Sequence, residues 1–390
     1  MACLRCTVEH PEMVEVRLNP KHLLLGDSYF TPAHVDTVCY EARTGRVPVK
    51  GAGYRGRFGG EGWDGMWTDM SEIVRPTRDC IHGREFISTS VDIGAKPPFL
   101  SFDGQGLVTG EGARTFSLPV PFLFDVPPLS VQSPDLLRVL VAAARETETF
   151  VVVPITLLKK FELKGNIVPL VSRDEAGLVG ELRPAPPMIE FGGWEEALFR
   201  ELRTRFAGSA ICLRQDFTSP EELLERYRSG VRVFHLVADY HGRARDGRFV
   251  LDLIREAHAA LLQAGCRDEV TLLGSGGIIA AEHVPKAIIC GLDAVALDTS
   301  LLAALQARFL GECHDRRTSG FQLPRKFSVN WGTQRIENLV ASWRDQLLEV
   351  LGAMGLREVR RLRGETGRAM FQKVLEREAF AGIEGYDGKS

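Results

Sequence analysis

The sequence lacks long hydrophobic runs and any marked excess of charge of one sign. Apolar stretches such as 136–144 are interrupted by charge well short of the roughly 20 residues that a membrane-spanning helix needs. No signal-peptide-like apolar segment follows the first residues. The 48 Lys and Arg against 51 Asp and Glu give a formal net charge of −3, which provides no basic field to attract nucleic acid. We therefore expect a soluble, cytoplasmic protein with no membrane span and no nucleic-acid partner.

Cysteine is sparse and scattered over the whole chain. Its eight positions are 3, 6, 39, 80, 212, 266, 290 and 313. In a chain of 390 residues this spacing favours reduced thiols over a disulfide framework. Only Cys3 and Cys6 form a C-x-x-C pair, and two thiolates do not complete a metal site. No metal is predicted.

The segment 272–301 is the most informative part of the chain. It reads as a strand, a glycine-rich turn, a helix ended by Gly291, a second strand and a second turn. The last two units of a phosphate-binding (β/α)8 barrel are built in this way, with glycines that let backbone N–H groups approach an anion. The pattern predicts a phosphate between the two turns. A tight strand-to-helix connection also needs glycine, so the turn alone does not decide between the two interpretations.

Short apolar runs alternate with amphipathic helices from residue 121 onward. This alternation predicts an α/β fold, a (β/α)8 barrel over 119–312, although the unit at 159–187 is short of helix and rich in proline. Predicted strands are 122–126, 149–153, 167–171, 188–191, 210–214, 231–238, 270–273 and 294–297. Predicted helices are 134–147, 194–206, 220–228, 249–262, 281–290 and 301–309.

The two ends of the chain differ from this pattern. Residues 1–118 form an irregular N-terminal extension in the prediction, with a short helix within 66–79. Its glycine- and aromatic-rich segment 51–63 suits either a loop over a planar or anionic ligand or a contact with a neighbouring subunit. Residues 313–390 are expected to form a loop and helices docked on the barrel, at 333–354 and 357–371.

Two segments carry a resemblance to a known family. GGIIAAEHVPKAIICGLDAVALDTSLL and LLEVLGAMGLREVRRLRGETGR, which begin at Gly276 and Leu347, resemble the FMN-binding barrel domain of glutamate synthase and its stand-alone relatives. The resemblance covers about residues 120–365 and is sharp from 270 to 302. It implies a barrel of the FMN-dependent oxidoreductase type, with FMN as the cofactor.

The resemblance also assigns roles to individual residues. It implies that the FMN phosphate meets the backbone N–H groups of Ser275, Gly276 and Gly277, with Asp298 and Thr299 at the second turn. It places Arg214 near the flavin, where the family has a lysine, and makes Asp239 and His241 the other polar groups facing the flavin. A structural imidazole is the alternative for His241.

Several positions depart from the family pattern. Asp298 stands where the family has glycine, and a carboxylate repels a phosphate unless its side chain turns away. Arg214 keeps a fixed positive charge but cannot act as a base. Only Cys313 and His314 remain of the cysteine-rich pattern that holds a three-iron cluster in the family, so no cluster is expected.

The resemblance implies an FMN-dependent oxidoreductase that acts on an amino-acid or imino-acid substrate with a redox partner protein or other subunits, as an oligomer or hetero-complex. Because Ala2 stands near the start, no glutaminase segment is expected and ammonia would come from elsewhere. The alternative is a catalytically degenerate barrel that serves as scaffold or regulatory subunit, which the departures favour. A flavin-free barrel acting on a sugar phosphate would need a strand-end lysine, and the predicted strands have none.

Overall fold

A computed structural model describes residues 5–15, 17, 19–48, 59–69, 86–97, 99, 101–109 and 114–384. Within them, eight parallel strands close into a barrel in chain order, and the last strand pairs with the first. They are β6 (Phe122–Phe124), β7 (Val151–Pro154), β8 (Ile167–Val171), β9 (Met188–Gly192), β10 (Ala210–Asp216), β11 (Val233–Val237), β12 (Thr271–Ser275) and β13 (Ala294–Leu297). The predicted (β/α)8 fold is confirmed, and each predicted strand overlaps an observed one.

The α-helices alternate with these strands and extend beyond them. They are α1 (Arg5–Glu9), α2 (Pro32–Thr44), α3 (Pro134–Glu146), α4 (Ile155–Lys160), α5 (Glu196–Arg205), α6 (Pro220–Arg228), α7 (Val250–Gln263), α8 (His283–Cys290), α9 (Thr299–Ala304), α10 (Val329–Ala353) and α11 (Gln372–Phe380). In the described part of the chain, none of them has the length and apolar character that a membrane span requires.

The helix layer departs from the regular pattern where glycine interrupts it. After β8 the chain forms a 3₁₀ helix, Arg173–Glu181, in place of an α-helix, and this segment contains Gly177 and Gly180. The predicted basic helix at 357–371 is wrong. Two short 3₁₀ turns, Val359–Leu362 and Thr366–Arg368, lie in that range instead, because Gly364 adopts a left-handed backbone with φ of 79° that ends regular helix.

Short antiparallel pairs join the two ends of the chain to the barrel. The described strands outside the barrel are β1 (Met66–Thr68), β2 (Val91–Ala95), β3 (Ser101–Phe102), β4 (Val108–Thr109), β5 (Arg114–Leu118), β14 (Arg308–Phe309), β15 (Phe321–Gln322) and β16 (Ala369–Phe371). β1 pairs with β16, so the predicted helix within 66–79 begins as a strand, while 70–79 lies outside the described residues. The loop at 51–58 lies outside them as well.

The hairpin of β2 and β5 closes the end of the barrel at which the strands begin. Gly94 and Thr271 exchange two hydrogen bonds there: the Gly94 N–H donates to the Thr271 hydroxyl at 3.2 Å, and that hydroxyl donates to the Gly94 carbonyl at 2.8 Å. Thr271 is the first residue of β12. The opposite end of the barrel, where the strands finish, is therefore the end available for a site in this fold.

Helix α2 docks on α10 through a buried carboxylate. Glu41 is 1% exposed and accepts hydrogen bonds from Trp343 Nε1 at 2.8 Å and Gln346 Nε2 at 2.7 Å. This helix was not predicted from the sequence, because its apolar positions are few. These bonds tie the N-terminal region to the barrel's helix layer.

We expect Glu41→Ala to lower the free energy of unfolding by about 2 kcal/mol, because it leaves two buried donors without an acceptor. Arg43→Ala, on the exposed face of the same helix, is the matched control and should change stability little. Urea unfolding of both variants measures the difference. Equal stability of the two variants would contradict this account of the docking.

Candidate functional site

Four ionisable side chains meet inside the end of the barrel where the strands finish. Asp125 follows β6, Glu190 lies on β9, and Arg214 and His235 are register partners on β10 and β11. The Phe191 ring packs on Phe199 of the helix layer at 5.9 Å, so its neighbour Glu190 points to the barrel interior by strand alternation. The Asp125, Glu190 and His235 side chains are fully buried, and that of Arg214 is 13% exposed.

Arg214 is the fixed positive charge of this cluster. Its guanidinium binds Asp125 through two bonds, Nη1 to Oδ1 at 2.7 Å and Nη2 to Oδ2 at 3.0 Å. Nη1 also donates to Glu190 Oε2 at 3.1 Å. Burial alone raises the pKa of Asp125, but Arg214 and its neighbouring cations outweigh it and hold that pKa well below its usual range. The pair remains ionised, and Arg214 cannot supply or remove a proton.

His235 is the one member of the cluster with an unsatisfied atom. Its Nδ1 lies 2.9 Å from Glu190 Oε1 and 3.1 Å from Arg214 Nη1. Its Nε2 is buried and has no hydrogen-bond partner among the described residues. A buried imidazole nitrogen without a partner is costly and is an atom to which a bound ligand could hydrogen-bond.

Arg316 closes the barrel mouth. It lies between β14 and β15, and its Nη2 binds Asp298 Oδ2 at 2.8 Å and the Ser275 hydroxyl at 3.1 Å. Nη1 reaches Asp125 Oδ2 at 3.2 Å. The guanidinium also lies over the Tyr240 ring, 4.6 Å from its centroid. Three carboxylates and two guanidiniums thus form one network, which we call the mouth cluster: Asp125, Glu190, Asp298, Arg214 and Arg316.

The mouth cluster contains two of the predicted site residues, Arg214 and Asp298, and Arg316 binds a third, Ser275. Asp298 does not turn away from the expected phosphate position: its Oδ1 accepts the Thr299 N–H of the second turn at 2.5 Å and caps α9. Burial raises the pKa of Asp298, and Arg316 opposes that rise without cancelling it. Asp298 stands where the family has glycine, and the Arg316 guanidinium, which comes from a distant segment, provides its counter-charge.

The predicted phosphate-binding turn is filled by the chain's own atoms. The Gly277 N–H donates to the Tyr240 carbonyl at 3.0 Å, and the Gly277 carbonyl accepts the Tyr29 hydroxyl at 2.8 Å. A Cβ at Gly276 would lie 2.6 Å from the Asp239 carbonyl oxygen. The glycines thus allow close packing within the chain, and this packing by itself does not decide between the two interpretations of the turn.

An FMN phosphate does not fit this arrangement. The N–H groups of Gly277 and Thr299 are already bonded, and Ser275 and Asp298 are each only 3% exposed. An anion placed at this turn would also face the Asp298 carboxylate, which a phosphate dianion repels. FMN would bind at these residues only after Tyr29 and Arg316 had moved.

Asp239 and His241 lie on the loop that follows β11 and do not join the mouth cluster. Asp239 Oδ1 accepts the Arg243 N–H at 2.7 Å and closes its own turn, and burial raises its pKa. His241 Nε2 bonds Asp27 Oδ2 at 2.9 Å, and its ring stacks on Tyr29 with centroids 5.2 Å apart. His241 therefore holds the N-terminal segment over the mouth, whereas Asp239 stabilises its own loop.

The carboxylate and imidazole atoms of Asp27, His241 and Glu312 lie within 4.8 Å of one another. This geometry could hold a cation, but hydrogen bonds already account for Asp27. Its Oδ1 accepts the N–H groups of Tyr29 and Phe30, and its Oδ2 accepts that of Cys313. The group therefore gives no reason to assign a metal.

The cysteines within the described residues are separate thiols. Cys313 is buried with its Sγ 3.2 Å from the Gly320 carbonyl, and Cys6 is exposed. Cys3 and Cys80 lie outside the described residues, so the C-x-x-C pair is not described as a whole.

Sequence reasoning missed four members of this site: Asp125, Glu190, His235 and Arg316. Three of them did leave a signal. Side chains on a barrel strand alternate between the interior and the helix layer. A charged residue or histidine within an apolar strand, as in MIEFG and VFHLV, therefore points either inward or outward. Those that point inward meet one another inside the barrel. Arg316 left none, because it belongs to an irregular segment.

We expect Arg316→Gln to destabilise the protein by about 2 kcal/mol, because Asp298 then stays buried without its counter-charge. Since the pKa of Asp298 is already raised, its neutral form is favoured as the pH falls. The deficit relative to wild type should therefore be largest at about pH 8 and shrink towards about pH 5. Urea unfolding across this range tests it, with Arg317→Gln at the exposed neighbouring position as control. A deficit that did not change with pH would count against the role given to Asp298.

Comparisons with known proteins support the family resemblance. Residues 243–357 match the family described as a conserved region in glutamate synthase. The archaeal-type glutamate synthase [NADPH] of Dehalococcoides mccartyi is 23% identical, over 93% of this chain and 85% of that protein. The corresponding protein of Thermotoga neapolitana is 26% identical, over 86% and 80% respectively. The match to the archaeal glutamate synthase [NADPH] of Methanocaldococcus jannaschii reaches 32% identity but spans 30% of this chain and 24% of that one.

A solved structure shares the fold. A flavocytochrome b2 variant with sulfite bound superimposes with a TM-score of 0.53 at 12% identity, over 79% of this chain and 76% of that chain. The two proteins thus share the (β/α)8 barrel fold. This chain is similar to archaeal-type glutamate synthases over most of its length, and its residues 243–357 match the conserved region of glutamate synthase.

Proposed function

We propose that this chain is a glutamate-synthase-like barrel that works as a regulatory or scaffold subunit of a larger complex, with its mouth closed to flavin. The observation that carries this proposal is the Arg316–Asp298 ion pair at the predicted cofactor position. The pair fills the mouth with groups that satisfy one another. It leaves no free cation there to meet an anionic cofactor or substrate among the described residues of the mouth cluster.

Two further features support a closed mouth. Asp27 and His241 fasten the segment that carries Tyr29 over the Gly277 turn, so the cover is held by a buried hydrogen bond as well as by ring stacking. The Cys313 N–H binds Asp27 from the other side, which joins this cover to the segment that carries Arg316. The Tyr29 segment over the Gly277 turn and the Arg316–Asp298 ion pair are therefore connected to each other through hydrogen bonds.

A second candidate is the FMN-dependent oxidoreductase that the family resemblance implies, with an amino-acid or imino-acid substrate and a redox partner protein. Its support is the shared barrel fold, the relatives' names, and the position of Arg214, whose fixed charge suits an electron-rich group. The Nε2 of His235, which is buried without a hydrogen-bond partner among the described residues, is a polar atom that such a site could use to bind a ligand. This function requires the Arg316 segment to leave the mouth.

The two candidate functions predict different flavin contents, and therefore different colours, for the purified protein. We expect no flavin in the visible spectrum or in the denatured supernatant, and no quenching of FMN fluorescence when FMN is added, because the phosphate position is filled. Robust stoichiometric FMN in the wild-type chain would overturn the closed-mouth proposal. Loss of that FMN in Gly277→Asp, but not in Arg317→Gln, would then place it at the predicted turn and establish the second candidate.

A further inference from the structure

A second concave site lies at the opposite end of the barrel from the mouth cluster. It is a cavity of about 240 Å³ between the β2–β5 hairpin, the C-terminal part of α5 and the starts of β10 and β11. Its lining residues include Ala95, Pro97, Phe199, Ser209, Ile211, Gly230 and Val233, together with the charged side chains described next. It shares no residue with the mouth cluster.

The charged lining of this cavity is strongly one-sided. Four cationic side chains line it, those of Lys96, Arg114, Arg203 and Arg232, against the single carboxylate of Glu269. The four come from four separate parts of the fold: the end of β2, the start of β5, helix α5 and the approach to β11. A solvated helix face would draw its cations from one element, whereas here the tertiary structure gathers them around a hollow.

The single carboxylate is already engaged by one of these cations. Glu269 Oε2 lies 3.4 Å from Arg232 Nε. Arg232 is further fixed by its Nη1, which donates to the carbonyls of Tyr227 at 2.9 Å and Val231 at 3.0 Å, and by the Tyr227 ring 4.1 Å beneath the guanidinium. Arg232 is therefore an oriented guanidinium, and Glu269 is engaged by Arg232.

Arg203 has no hydrogen-bond or ion-pair partner among the described residues. Its neighbours on the same helix do: Arg200 binds Glu196, and Arg205 binds Glu201. Arg203 instead reaches over Gly230, where a Cβ would come within 3.0 Å of its Nη1. A side chain at this position would push the guanidinium away from the cavity.

Lys96 is a half-buried ammonium at the edge of the cavity. Burial is the main cause that lowers its pKa; Asp293 and Asp92 oppose this shift, and Arg363 and Arg267 add to it. An anion in the cavity would favour the charged form of Lys96.

We propose that this cavity binds a small polyanion, with phosphate or carboxylate oxygens held by the forked N–H groups of Arg203, by Nη2 of Arg232 and by the ammonium of Lys96. Guanidinium groups suit both kinds of oxyanion because they can donate two parallel hydrogen bonds. The volume is below the roughly 300 Å³ at which sites for drug-sized ligands begin, so the ligand is compact. In this fold the chemistry lies at the other end of the barrel, so the anion is an effector rather than a substrate.

Isothermal titration of the full-length chain tests this site with two compact anions, inorganic pyrophosphate and succinate, at constant ionic strength. We expect at least one of the two anions to bind saturably, with one anion per chain. The anion that binds more tightly shows whether the site prefers phosphate or carboxylate. Arg203→Gln and Lys96→Gln should each weaken that binding about tenfold or more. Arg200→Gln, an exposed position on the same helix outside the cavity lining, should leave it unchanged.

The proposal fails if neither anion binds the wild-type chain saturably, or if Arg203→Gln and Arg200→Gln bind it equally well. Arg203 is exposed, so its variant is expected to fold, and circular dichroism checks this. The result does not depend on whether the mouth holds FMN, because the two sites share no residue. FMN content and anion binding can therefore fail separately.

Discussion

The ion pair between Arg316 and Asp298 is the interaction on which the state of the barrel mouth depends. Asp298 is buried where the family resemblance predicted glycine beside a phosphate, and a buried carboxylate needs a partner. Arg316 provides it and reaches Ser275 and Asp125 with the same guanidinium. Asp125 in turn binds Arg214, so the mouth is one neutralising network from β6 to β13. A cofactor phosphate at this position would have to replace several of these bonds.

The architecture could be predicted from the sequence, because barrel strands are short, apolar and regularly spaced. The departures follow from tertiary contacts that local pattern does not contain. Helix α2 has few apolar positions and is held by the Glu41 carboxylate under Trp343, a contact between residues 302 positions apart. The predicted helix at 357–371 fails because Gly364 takes a left-handed conformation and β16 pairs with β1.

The site was predictable only in part, and for a physical reason. Glycine turns at strand ends are visible in sequence, but a glycine that approaches a ligand and one that approaches its own chain look alike. Gly276 and Gly277 are of the second kind in this structure, packed against Asp239 and Tyr29. Glu190 and His235 were readable as polar residues within apolar strands. Arg316, 191 positions from Asp125, could be placed only by the fold.

The central claim is that Arg316 and Asp298 close the mouth as a coupled pair, and a double-mutant cycle in urea unfolding tests it most directly. Arg316→Gln, Asp298→Asn and the double variant are compared with wild type at neutral pH. The account predicts a favourable coupling energy of about 1 to 3 kcal/mol, because each single change leaves the other group without its partner. Additive effects, with a coupling energy near zero, would contradict it and show that the two side chains do not hold the mouth together.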